Sequence, residues 1–211
     1  MEPIALTPPT SDYADQIAAY RAAFLRRGDT LAGCSPLPDV EDPLEWLAFV
    51  RRLSDPSTVP EGFVQSSQFL CAREADGLLV GMLQVRHTLG NPFLERFGGH
   101  IGYSIHPEHR RKGYAKGMLA LALPYCRSLG LKRVLITCAQ ENEGSRRTIL
   151  ADGGRYESTV TEPRKGQRME RYWIELDPED RSSGSFFYSF RSTRNSSARS
   201  RRPSPTTSRL K

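Results

Sequence analysis

The sequence holds no apolar run near the roughly 18 residues that a membrane-spanning helix needs, so an integral membrane protein is not expected. Its first residues, MEPIALTPPTSDYADQ, lack the basic start and apolar stretch of a secretory signal. Cysteine is sparse and scattered: Cys34, Cys71, Cys126 and Cys138 form no Cys-x-x-Cys pair, and no histidine pair has metal-ligand spacing. A disulfide scaffold, a zinc ribbon and a metal site are therefore not expected, and reduced thiols in a cytoplasmic protein are the plain reading. Excess charge is also missing from most of the chain. The net charge is +6, yet eight Lys/Arg against two Asp/Glu fall from Glu179 onward, leaving 22 of each sign in residues 1–178. A nucleic-acid footprint spread over a whole domain is thereby excluded. No internal repeat is visible.

What is present fits one globular domain. The chain has 211 residues, 38% hydrophobic and 26% charged, enough for a proper core but not for two large ones. Tyr13, Ile17, Tyr20 and Phe24 recur at helical spacing and predict a helix from about Tyr13 to Arg27, ended by Gly28. Residues 28–43 are rich in Gly, Pro and Asp and read as a loop. Asp42 and Pro43 open a second helix with Leu44, Leu47, Val50 and Leu53 on one face. Then the texture changes. SQFLCARE (67–74) and LLVGMLQVRH (78–87) read as strands joined through Asp76-Gly77, a hairpin signal. GGHIGYSI (98–105) reads as a third strand, stopped by Pro107. Residues 113–129 follow as a helix with a Gly130 cap, VLITC (134–138) as a short central strand, 142–151 as a helix, and MERYWIEL (169–176) as a last strand. The order implies an α/β or α+β fold over residues 1–178. Residues 179–211 are rich in Ser, Thr, Arg and Pro and read as a disordered basic tail.

Chemistry concentrates in His106 to Ala115, HPEHRRKGYA, between an apolar strand and an amphipathic helix. The first N–H groups of such a helix lack intrahelical partners and carry the positive end of its dipole. Gly113 lets the backbone approach a bulky anion, Ala115 keeps the next contact small, and Arg110, Arg111 and Lys112 add positive charge. The segment is suited to a phosphate or pyrophosphate. G-x-x-x-x-G-K-[ST] and G-x-G-x-x-G are both absent, so neither a P-loop nor a dinucleotide-binding start is expected.

The pattern R-x-x-G-x-A, formed by Arg110, Gly113 and Ala115, resembles the acetyl-coenzyme A signature of the GNAT superfamily of N-acetyltransferases. Tyr103-Ser104-Ile105 before a His106-Pro107 turn, Asn142 and Ser145 at N-x-x-[SA] spacing, and Gly153 before the last hairpin agree with it. So do two leading helices on the substrate side. GGHIGY (98–103), LITC (135–138), RYWI (171–174) and Arg86-His87 are similar to an uncharacterised bacterial branch of that superfamily. The resemblance covers roughly residues 1–176. It implies a mixed, splayed β-sheet flanked by helices, with the pantetheine arm of acetyl-CoA lying where the third strand and VLITC part. It further implies that Ser104, Ile105 and His106 offer main-chain groups to the arm. Arg110, Arg111, Lys112, Gly113, Tyr114, Ala115 and Lys116 would surround the pyrophosphate, and Asn142 and Ser145 would face the arm from the other side. A homodimer is common among lookalikes.

The implied reaction is attack of a neutral amine on an acetyl thioester, the amine belonging to a small molecule, an amino acid or a protein. An alkylamine is mostly protonated at neutral pH, so a base is required; His100 and His87 are the candidates, each with a structural role as its alternative. A strand N–H near Ile105 can serve the oxyanion. Many members of the superfamily place a Tyr seven residues after the Asn to protonate the sulfur; here that position is Ile149, and Tyr156 is the next phenol. Tyr103 and His106 read as core and turn residues, and Cys126 and Cys138 as core. Trp46 reads as packing or a pocket floor. The acidic run Asp39, Glu41, Asp42 and Glu45 suits a helix start or a cationic amine, and Arg146-Arg147 a solvated face or the adenosine phosphate. Two other readings stay open: a non-catalytic acyl-CoA-binding module, and a nucleic-acid-associated protein acting through its tail.

Overall fold

The computed structural model describes residues 2–176. The expectation of a disordered basic tail from residue 179 lies outside the described residues. Among the described residues four α-helices form: α1 (Ala14–Arg27), α2 (Pro43–Ser54), α3 (Tyr114–Ser128) and α4 (Glu143–Ala151). The same residues form seven strands: β1 (Ile4–Thr7), β2 (Ser66–Arg73), β3 (Leu79–Arg86), β4 (Ile101–Ile105), β5 (Arg133–Ala139), β6 (Arg155–Glu162) and β7 (Gln167–Glu175). Local chemistry sets the boundaries. Gly28 caps α1 in the left-handed region, where a residue lacking Cβ is unstrained. Asp42 starts α2 by accepting a hydrogen bond from the Leu44 N–H at 2.8 Å, with Pro43 in the first turn. No helix among the described residues is long and apolar enough to cross a membrane.

The strands fall into two antiparallel sheets, ordered β1-β2-β3-β4 and β5-β7-β6. The implied splay is therefore complete enough to divide the sheet in two, with β4 and β5 facing each other across the division. Two strands were not expected from the sequence. β1 has only four residues and adds an edge to β2 in the register Ile4↔Arg73. β6, RYESTVTE, is an outer strand largely open to solvent, so it carries no apolar alternation to read.

Apolar residues fill both faces. α3 and α4 cover one core, in which Val80, Leu83, Ile101, Met118, Leu119, Ile136 and Ile149 are buried. On the opposite face, Ile17, Tyr20, Phe24, Leu37, Trp46 and Val50 pack on Leu70 and Met82. Trp46 is fully buried and its indole N–H donates to Cys34 O at 3.0 Å, so it is a core residue and not a pocket floor. Burial of this kind contributes about 1.5–3 kcal/mol for each large side chain.

The expected loop forms over residues 28–42, with one short helical turn at Leu37–Asp39, and it is anchored closely. Arg21 donates from Nε to Leu37 O at 3.0 Å, and Gln68 donates to Gly33 O at 2.8 Å. Gly33 lies directly against β4: a Cβ there would sit 2.3 Å from Gly102 O, and its φ is +76°. Gly33→Ala is expected to lower the thermal midpoint by about 5–10 °C through steric clash and backbone strain. Calorimetric unfolding checks it, and an unchanged midpoint would contradict the close contact.

Candidate active site

The site begins where the two sheets meet. The His100 N–H donates to Leu135 O at 2.7 Å, and the Leu135 N–H donates back to His100 Nδ1 at 2.9 Å. Close by, the Thr137 hydroxyl donates to Phe97 O at 2.6 Å. Arg86 steadies the approach by donating to Gly98 O and Gly99 O at 3.2 and 3.1 Å. Gly99 has φ +68° and would place a Cβ 2.6 Å from Leu135 O, so only glycine fits there. Beyond this clasp β4 and β5 share no ladder among the described residues.

The phase of β4 decides which groups face the gap. Arg86 N–H donates to His100 O at 2.8 Å and His106 N–H donates to Val80 O at 2.9 Å. By the two-residue alternation of an antiparallel ladder, positions 102, 104 and 106 direct their main chain to β3, while 101, 103 and 105 direct theirs to the gap. Of the three main-chain donors that the resemblance implied, Ile105 faces the gap. His106 does not, because its N–H is held by Val80, and Ser104 turns to β3 with it. The Ser104 hydroxyl accepts from Tyr20 Oη at 3.1 Å on the α1 side.

After β4 the chain turns tightly into α3. Arg111 adopts φ +61° and Gly113 φ +86°. A left-handed conformation is uncommon for a residue with a side chain, and it curls successive N–H groups inward. The first helical bond runs from Gly117 N–H to Gly113 O at 3.2 Å, and no side chain caps the start. Among the described residues, nothing accepts from the N–H groups of Tyr114, Ala115 or Lys116. Arg111, Lys112 and Lys116 are exposed around them. Arg110 is engaged differently. It donates to Ile105 O at 3.3 Å, pairs with Asp29 at 2.7 Å and lies over the Phe24 ring, bracing the turn against α1. That pairing holds the Asp29 carboxyl below its usual range. The Tyr114 phenol points away, donating to Glu2 at 3.1 Å, so this residue brings only its main chain to the turn.

Across the gap, Asn142 caps α4 by accepting from Ser145 N–H at 3.0 Å. Ser145 Oγ lies 2.9 Å from the phenol of Tyr103. Ile149 is fully buried in the core. Arg146 pairs with Glu143 and with Glu170 at 3.3 Å, and Arg147 pairs with Glu143 at 2.6 Å. Asp152, just after α4, keeps Oδ2 buried without a partner, and burial raises its carboxyl to about 6.

Neither candidate base is free. His100 is 7% exposed, its Nδ1 lone pair is occupied by Leu135, and burial, with Arg86 and Arg133 nearby, lowers its pKa to about 4. It cannot take a proton there without opening the clasp. His87 Nε2 lies 2.9 Å from Ser67 Oγ, which lies 2.6 Å from the Tyr125 phenol. Tyr125 stands about 16 Å along α3 from Tyr114, at the far end from the open turn. His106 Nδ1 accepts from Glu108 N–H at 3.3 Å and shapes the turn. The four cysteines are free and buried, and burial pushes Cys126 to about 12 and Cys138 to about 11, leaving thiols rather than nucleophilic thiolates.

A family profile described as an acetyltransferase (GNAT) domain matches residues 4–154. No curated protein matches the sequence significantly. Among solved structures, Mycobacterium smegmatis RimJ in complex with CoA-disulfide is similar with a TM-score of 0.62 and 20% identity, over 82% of this chain and 81% of that one. Ribosomal-protein-S5-alanine acetyltransferase from Vibrio fischeri is similar with a TM-score of 0.65 and 16% identity, over 84% and 96%. A dodecameric spermidine N-acetyltransferase from Vibrio cholerae gives 0.60 and 16%, over 86% and 98%. At these identities the likeness is one of fold.

The clasp has a measurable signature. With a folded pKa of about 4 against 6.5, His100 contributes stability that is complete above pH 6.5 and lost as the pH falls toward 4. His100→Gln, which keeps an acceptor, is expected to flatten that part of the pH dependence in urea unfolding. His100→Ala is expected to cost about 1–3 kcal/mol at neutral pH by orphaning the Leu135 N–H. Equal pH slopes in wild type and His100→Gln would refute the assignment.

Proposed function

The chain belongs to the GNAT acetyltransferase family, and from that premise we propose that it transfers the acetyl group of acetyl-CoA directly to a primary amine. The observation that carries this reading is the turn at residues 111–116, where left-handed backbone and uncapped helix N–H groups converge at the end of a strand whose outer edge is unpaired. Those donors, with Arg111, Lys112 and Lys116, suit a pyrophosphate. Main-chain groups of Ile101, Tyr103 and Ile105 suit an amide-bearing arm that completes the ladder, and one of these N–H groups suits the oxyanion of the tetrahedral intermediate. Asn142 and Ser145 border the arm from α4.

The amine must arrive neutral. With His100 and His87 committed to neighbours, its proton leaves through water. The rate then follows the amine's own ionisation. The acceptor is a small-molecule, amino-acid or protein amine. Ile149 in the core, with no proton to give, favours a second reading, a non-catalytic acyl-CoA-binding module.

Titration calorimetry with CoA, followed by an acetylation screen over polyamines, amino acids, aminoglycosides and peptides, separates the two. Tight binding with turnover of at least one amine supports the enzyme; tight binding without turnover on any supports the module. Gly113→Val is expected to weaken CoA binding more than tenfold by straining the turn and crowding the diphosphate. Unchanged affinity would move the pyrophosphate elsewhere. For an accepted amine, kcat/KM is expected to rise about tenfold per pH unit up to the amine's pKa. A plateau at pH 6–7 would instead reveal a base on the protein.

A further inference from the structure

On the acetyl-transfer reading the departing sulfur is stabilised by a hydrogen-bond donor, and position 149 supplies none: Ile149 is fully buried, with its Cγ2 against Gly154. We propose that Tyr103, on the free edge of β4, is the group that donates to that sulfur.

The gap is bounded by β4, β5 and the first turn of α4. Tyr103 stands midway along β4 at a position whose main chain faces the gap, and its side chain crosses to α4. The phenol oxygen lies 2.9 Å from Ser145 Oγ and 3.4 Å from Ser145 O. It therefore occupies the span that an arm entering between the strands must pass. The other phenols near the sheets are engaged away from the gap. Tyr20 donates to Ser104, Tyr114 to Glu2 and Tyr172 to Glu170, while Tyr125 is bonded to Ser67. Tyr156 lies on β6, separated from β5 by β7. Ser145 and Thr148 from α4, Asp152 beyond it and Cys138 from β5 surround Tyr103, and burial holds its proton firmly at neutral pH. The phenol thus stays protonated and is a hydrogen-bond donor to a nascent thiolate formed beside it.

The step balances. The amine nitrogen bonds to the carbonyl carbon, the C–S bond breaks, and its electron pair leaves on sulfur. The thiolate leaves while accepting the Tyr103 O–H hydrogen bond, and it takes its proton from the water that took the amine's N–H proton, yielding the free thiol; Tyr103 keeps its own proton throughout.

Tyr103→Phe keeps the ring and removes only the hydroxyl. The first measurement needs no amine: the thiol of bound CoA is titrated by its ultraviolet thiolate absorbance, as a difference against the same protein loaded with S-methyl-CoA to cancel protein phenols. Tyr103→Phe is expected to raise the pKa of the bound thiol by about one unit, the loss of one hydrogen bond to a charged acceptor. CoA affinity is expected to stay within threefold. With any accepted amine, kcat is expected to fall up to about tenfold with an unchanged KM for acetyl-CoA. The same thiol pKa in both proteins, or a loss of CoA affinity that accounts for the lost rate, would overturn the role of Tyr103 while leaving acetyl transfer intact. A wild-type protein that does not bind CoA would overturn both.

Discussion

The architecture depends on two hydrogen bonds exchanged between His100 and Leu135. They are where two separately hydrogen-bonded sheets become one scaffold. A longer ladder between β4 and β5 would seal the groove; no contact would let the sheets drift. One clasp, with Gly99 admitting the close approach and Arg86 holding the preceding carbonyls, leaves a wedge with a fixed vertex and an open mouth. The clasp also dictates the chemistry of the imidazole. Accepting through Nδ1 requires the proton on Nε2 and a neutral ring, so the residue that looked suited to proton transfer is spent on geometry.

At the mouth of the wedge the turn reaches positive potential by two routes. Arg110, although exposed, ties Ile105, Asp29 and Phe24 together. Arg111, Lys112 and Lys116 face solvent around uncapped amides. The braced guanidinium fixes the loop, and the fixed loop aims the N–H groups. An anion meeting this surface finds donors already oriented, so little ordering remains to oppose its binding.

Much of this was legible in the residues themselves. Helices α1 to α4 followed from apolar spacing, caps and glycine stops, and the strand–turn–helix around Gly113 from a charged, glycine-bearing break between two apolar segments. What was hidden has physical reasons. β1 is too short for alternation to register, and β6 is too exposed to need it. The roles of His100 and His87 depend on partners 35 and 20 residues away, which no local pattern reveals. Which main-chain groups of β4 face the gap depends on the register with β3, and one residue of slip reverses the answer. Tyr103 could be placed on a face of its strand, but its meeting with Ser145, 42 residues on, belongs to tertiary structure.

The contact between Gly33 and Gly102 has a mechanical corollary. Backbone lies on backbone there, with no side chain between to absorb displacement. The loop is pinned in turn to α1 through Arg21 and to α2 through Trp46. Any sideways flexing of β4 as the wedge widens must therefore push the 28–42 loop and both leading helices with it. Strand and leading helices are thereby geared together through a pair of glycines.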